Sequence, residues 1–85
     1  MSTSRAFDDQ EPVWIARTPT AIGASLADYR RRAGLTQAEL ADMCGIHRSY
    51  LSDLERGSVA SQVERLFRVV RQLGLEVRIR KAGAS

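Results

Sequence analysis

The stretch Thr36–Gly57, TQAELADMCGIHRSYLSDLERG, decides the fold of this chain. Thr36 followed three residues later by Glu39 is a capping box: the hydroxyl accepts from the Glu39 amide and the carboxylate reaches back to the Thr36 amide. A helix therefore begins here, with Gln37 in its first turn. Leu40, Ala41 and Cys44 recur at three- and four-residue spacing and give it one apolar stripe. Gly45 ends it, where a left-handed backbone is least costly, and Ile46 turns inward. His47 opens a second helix whose inward positions are Leu51 and Leu54, and Gly57 closes it. His47, Arg48, Ser49, Ser52, Asp53 and Arg56 are left facing out. Two short helices joined by a tight turn at Cys44-Gly45-Ile46 make a helix-turn-helix.

The outward face of the second helix is short, polar and rich in hydrogen-bonding groups. A helix lying in a major groove needs such a face, so the pattern points to nucleic acid as the class of partner. It does not specify a base sequence. Composition agrees without deciding the matter: the formal charge is +3 and the sequence pI about 9.8, a mild bias toward a polyanion. Twelve of the thirteen basic residues are Arg. That side chain suits phosphate and guanine, although codon composition explains the bias equally well.

Eighty-five residues form one domain. A chain of this length buries only about 60–65% of its unfolded surface, so its core is marginal and dimerisation would help. One Cys excludes an internal disulfide framework or a Cys-based zinc cluster. No stretch reaches the roughly 18–20 apolar residues of a membrane span, and the N-terminus lacks the apolar run of a signal peptide, so a cytoplasmic location is expected. One His and one Cys, both inside the helix-turn-helix, offer no nucleophile–base pair and no metal ligand set. Neither enzyme activity, metal nor cofactor is expected.

Outward from the motif, Thr18-Pro19 starts a first helix, with Thr18 as cap and Pro19 at the first helical position. Ile22, Leu26, Tyr29 and Ala33 share one face. Arg30, Arg31 and Arg32 crowd the last turn, where they complement the negative helix end or contact phosphate, and Gly34 stops the helix. Ser61 with Glu64 is a second capping box. Val63, Leu66, Phe67, Val70 and Leu73 give the fourth helix a continuous apolar face expected in the core, with Arg65, Arg68 and Arg71 on its polar side. Leu75 to Arg80 then alternates apolar and charged residues, the pattern of a strand with one buried face. Its backbone must pair somewhere: with Val13 to Ile15 of the same chain, or with its own copy in a second subunit. Met1 to Pro12 reads as a disordered tail. Val13-Trp14-Ile15 reads as an anchoring strand or as ordinary packing of that tail.

Thr36 to Ala41 (TQAELA), Gly45-Ile46 and Leu54 to Gly57 (LERG) resemble the Xre/Cro-like helix-turn-helix proteins, which include phage repressors. The resemblance covers roughly Thr18 to Leu75. A short fourth helix followed by one alternating strand is similar, in particular, to HipB-type antitoxins and their small regulator relatives. This implies an all-α, lambda-repressor-like domain of four to five helices with one C-terminal strand that pairs in a dimer. The tail would occupy residues 1–17, the DNA-binding domain 18–74 and the dimerisation strand with a short tail 75–85. It implies a homodimer that represses at a palindromic operator in double-stranded DNA, and a HipA-like serine/threonine kinase toxin as a further partner.

By the same resemblance Gln37 hydrogen-bonds the DNA backbone. His47, Arg48, Ser49 and Ser52 reach bases or nearby phosphates. Tyr50 and Asp53 turn either along the groove or out of it, and Arg56 contacts the backbone. Glu55 is a buried acid paired with Arg30, and Leu75, Val77 and Ile79 form the dimer seam. His47 departs from the Ser or Thr cap frequent at its position, which implies a looser helix start, and Ser58 to Ala60 lacks the usual loop Lys. The competing function is a protein-binding module that neutralises a toxin or kinase without DNA. Polar Arg48, Ser49 and Ser52 beside Gln37 favour DNA, since a pure adapter has no need of that face.

Overall fold

The computed structural model describes residues 12–83. The disordered tail expected at the N-terminus falls outside them, save for Pro12. The described chain runs β1 (Val13–Ala16), α1 (Pro19–Arg32), α2 (Gln37–Cys44), α3 (Arg48–Glu55), α4 (Ser61–Gln72) and β2 (Val77–Arg80). The helix starts follow the sequence at two places. Thr18 caps α1 through the Ala21 amide, with Pro19 behind it. The Thr36–Glu39 box closes in both directions, at 3.0 Å and 2.8 Å. The second expected box does not form. Ala60 takes the cap position in extended backbone and its carbonyl accepts from Val63 and Glu64, which leaves Ser61 inside the helix as its first residue. His47 caps α3 without a side-chain bond, the loose start the sequence implied.

All four helices end alike. Gly34, Gly45, Gly57 and Gly74 follow them at φ between 70° and 82°. In each case that glycine and the next residue donate back to the last helical turn, for example Gly74 to Arg71 and Leu75 to Val70. This double closure satisfies carbonyls that would otherwise be orphaned.

The packing of α1 departs from the simple apolar stripe. Ile22 and Tyr29 are half-buried, while Leu26 and Ala33 are exposed. The fully buried positions are small: Gly23, Ser25 and Ala27. Gly23 and Ala27 lie four residues apart on one face, and α1 uses that face to approach α3 closely. A Cβ at Gly23 would sit 2.3 Å from the Leu54 carbonyl oxygen and 2.6 Å from that of Glu55. Ser25, two residues from Gly23 and so on the other side of α1, is fully buried as well, and its hydroxyl is satisfied by donating to the Ile22 carbonyl at 2.7 Å. Ala41 of α2, Leu51 of α3, Phe67 of α4 and Ala16 of β1 complete the buried core.

The C-terminal strand finds its partner in its own chain. β1 and β2 pair antiparallel, with Trp14 opposite Ile79 and Ala16 opposite Val77. Directly opposed residues share a face, so Trp14, Ala16, Val77 and Ile79 lie together. That face looks onto α1: the Trp14 indole donates to Asp28 at 3.2 Å. The Tyr29 hydroxyl reaches the carbonyls of both Pro12 and Ile79 and so clips the two strands at once. Val77 and Ile79 are therefore half-buried on the face that looks onto α1, and Leu75 lies before the strand, exposed. Val13–Ala16 is likewise an element of the domain and not part of a tail.

The α1–α3 crossing gives a direct test. Gly23→Ala would ordinarily gain helix propensity, but here the added methyl meets two backbone carbonyls that cannot yield without moving α3. A net destabilisation of about 1–3 kcal/mol or more is expected from overpacking, read as a lowered Tm. An unchanged or raised Tm would show that the crossing is looser than described.

Candidate nucleic-acid interface

The two helices of the motif meet at a carboxylate. Glu55, the last residue of α3, accepts from the Arg30 Nε at 2.7 Å and from its Nη2 at 3.1 Å, a two-point guanidinium–carboxylate pair. The same Glu55 Oε1 accepts from Gln37 Nε2 at 2.9 Å. Arg30 has a second task, donating through Nη1 to the Leu35 carbonyl at 2.9 Å and so fixing the α1–α2 loop. The side chains of Arg30 and Glu55 retain only 12% and 6% of their surface exposure. The expected pair is thus present and buried, and it is larger than expected: Gln37, from α2, is a third member. Arg30 holds the Glu55 carboxyl below its ordinary value, burial pulls the opposite way, and the Gln37 bond adds to the lowering.

With Leu51, Leu54 and Glu55 turned inward, the polar side of α3 is presented outward. At about 100° per residue, Arg48, Ser49, Ser52, Asp53 and Arg56 fall within an arc of about 140°. Arg48, Ser49 and Arg56 are exposed, and Ser52 and Asp53 are half-buried on the same side. His47 is exposed at the cap position. Tyr50 is exposed too, but it lies on the flank of the helix and is not brought together with the others. Arg56 is not idle in the free protein: it donates to the Ser52 hydroxyl at 2.6 Å and pairs with Asp53. Gly57 then turns the chain away from this face. Its φ of 82°, and the Thr20 backbone that a Cβ would strike at 2.5 Å, both require glycine there.

Such an arrangement, with two helices locked at a fixed angle and a polar face on the second, defines a DNA-binding helix-turn-helix domain. The comparisons with known proteins agree. A family model described as Helix-turn-helix matches residues 26–79. The uncharacterised HTH-type transcriptional regulator y4mF of Sinorhizobium fredii is 33% identical over 67 residues, 79% of this chain and 88% of that protein. The ImmF control region 10 kDa protein of Bacillus phage phi105 is 33% identical over 60 residues, 71% of this chain and 67% of that protein. A second Sinorhizobium fredii protein, the uncharacterised HTH-type transcriptional regulator y4dJ, is 39% identical over 54 residues, 64% of this chain and 70% of that protein. No solved structure gives a match. The chain belongs to the Xre/Cro-like helix-turn-helix family. It is a DNA-binding transcriptional regulator of a non-enzymatic family. Among the described residues no group of His, Cys, Asp and Glu could hold a metal ion, and no helix is long and apolar enough to cross a membrane.

One surface was misread from the sequence. The inner stripe of α4 is Val63, Phe67 and Val70, and of these only Phe67 is fully buried. Leu66, Val69 and Leu73 form a second stripe beside it and stay 54–66% exposed. Together the two stripes span about 160° of the helix, wider than the roughly 100° that a one-sided surface helix needs. That excess width was the available signal that the fold of one chain does not cover the whole apolar face of α4.

The pair at Glu55 makes a stability prediction. Glu55→Ala leaves a buried guanidinium unpaired and should lower Tm by about 10 °C or more, whereas Arg65→Ala, on the outer side of α4, should shift it little. The pH dependence has a definite sign. The folded carboxyl titrates below its ordinary 4.5, so its ionised form stabilises the fold above the unfolded value, and that contribution is lost as pH falls through the folded value. Wild-type Tm should therefore drop below about pH 5 more steeply than that of Glu55→Gln. Parallel acid melting curves would contradict this.

Proposed function

We propose that this chain is a dimeric repressor that lays α3 in the major groove of a palindromic operator. The polar face of Arg48, Ser49, Ser52 and Arg56, presented outward by the buried Glu55 joint, is the observation that carries the reading. Within it Arg48 is the candidate for base recognition, since a guanidinium can bridge both acceptors of a guanine. Gln37 is the candidate for a phosphate contact, which positions the protein without reading sequence. The phage relative is named for a control region, and repression at an operator fits that setting.

Dimerisation is supported by the outer stripe of α4. Leu66, Val69 and Leu73 form an exposed apolar strip that a monomer of this size has reason to cover, and a second copy related by a two-fold axis covers it self-complementarily. The two-stranded sheet adds a further route, because β1 occupies one edge of β2 and, among the described residues, no strand of the same chain covers the other. Such a two-fold axis would set the recognition helices about 34–36 Å apart, or a multiple of it, to match operator half-sites. The kinase-neutralising step rests only on the resemblance of α4 and β2 to the antitoxin layout. Co-purification with the product of an adjacent kinase-like gene tests it, and failure to associate leaves a repressor alone.

The DNA reading is tested by selecting duplexes from a random pool and titrating the winner. Arg48→Ala should lose about 1–3 kcal/mol of binding and relax preference at one base pair, while Gln37→Ala should weaken selected and unselected duplexes alike. Failure to enrich any sequence would refute the reading, and wild-type binding by Arg48→Ala would remove that residue from the site. For the dimer, Leu66→Glu with Leu73→Glu should give a folded monomer by sedimentation with much weaker operator affinity. An unchanged dimer would move the interface elsewhere.

A further inference from the structure

We infer that Glu55 is a positioning residue for DNA binding: it aims the Gln37 side-chain amide at the phosphate backbone, in addition to holding the helices together. This rests on the DNA reading above. The observation is the bond from Gln37 Nε2 to Glu55 Oε1 at 2.9 Å, made by a carboxylate already fixed at two points by Arg30. An ionised carboxylate accepts and never donates. The other orientation of the Gln37 amide would bring its own oxygen against Glu55 Oε1, and that contact is repulsive. The carboxylate therefore selects one of the two amide orientations and spends one N–H of Nε2 in doing so.

The amide is planar, so fixing one N–H fixes the direction of the second. A phosphate oxygen accepts only, and the second N–H is the part of the Gln37 side chain that can donate to it. An unheld glutamine has several freely rotating torsions and loses rotamer freedom when it binds. Here that ordering cost is met when the protein folds. Glu55 itself, 6% exposed in its side chain, is shielded from solvent, and its charge is matched by Arg30. The positioning thus places no uncompensated negative charge beside DNA. Gln37 is half-buried, as a side chain with one end anchored and one end presented should be.

The test separates positioning from stability. Replacing both charged partners, Arg30→Met with Glu55→Met, removes the anchor while leaving no buried charge unpaired, and such swaps are often tolerated. In that background affinity for the selected duplex should fall about tenfold, the scale of one lost charge-assisted hydrogen bond, with base preference unchanged. Gln37→Ala should cost about tenfold in the wild type and almost nothing further in the swapped background. A full loss from Gln37→Ala in both backgrounds would overturn the proposal, as would wild-type affinity of the swapped variant. If the wild type binds DNA and Gln37→Ala has no effect, positioning fails while the DNA reading stands. If the wild type selects no duplex, the DNA reading itself fails. Should the swapped variant not fold, NMR of the wild-type Gln37 amide gives the answer. Two unequal Nε2 protons, one protected from exchange, are expected, and two equally exchanging protons would refute the bond.

Discussion

The Glu55 carboxylate is the joint on which the rest of this small structure turns. It stands at the end of α3, receives two bonds from Arg30 of α1 and one from Gln37 of α2, and so ties three helices at one point. Through Arg30 it also reaches the Leu35 carbonyl in the loop between α1 and α2. A domain of this size has little apolar surface with which to fix an interhelical angle. Its buried core is largely small side chains, with Leu51 and Phe67 as the bulky members. A directional, many-bonded ionic contact specifies geometry in a way that a few alanines cannot, and the angle between α2 and α3 is what a groove-reading motif must hold constant.

The close α1–α3 crossing and the joint belong together. Gly23 lets the α1 backbone approach the carbonyls of Leu54 and Glu55, which brings the Arg30 guanidinium, two turns further along, within reach of the Glu55 side chain. The glycine closure at Gly57 then carries the chain off toward α4 without crossing the outward face of α3. Function follows from this economy: every inward position of α3 is used for anchoring, so its outward positions are free to be polar.

Much of this was legible in the sequence, where local chemistry has few solutions. The Thr36–Glu39 box, Thr18-Pro19 and the glycines after each helix are signals satisfied by near neighbours, and the structure contains them as read. The Arg30–Glu55 pair came from family resemblance and not from spacing, since a contact between residues so far apart leaves no periodic trace. The Gln37 bond to the same carboxylate was invisible for that reason. The Ser61–Glu64 box failed because a cap needs extended backbone, and Ala60 holds that position. The stripe on α1 is covered only in part, at Ile22 and Tyr29, while the fully buried positions fall to the small residues Gly23, Ser25 and Ala27, which leave no apolar periodicity to read. The α4 face reads as core because apolar periodicity reports that a face is to be covered, without reporting what covers it. The strand was a choice between two pairings, and Trp14, Tyr29 and Asp28 decide for the local one through side-chain bonds to α1 and the strands.

The central claim is that the buried charges act as one unit rather than as two separate contributions. Thermal melting of Arg30→Met, Glu55→Met and the double variant at neutral pH tests it most directly. The account predicts a large Tm loss for each single variant, because each leaves its partner buried and unpaired, and recovery of most of that loss in the double variant. Losses that simply add, with the double variant the least stable of the three, would contradict it.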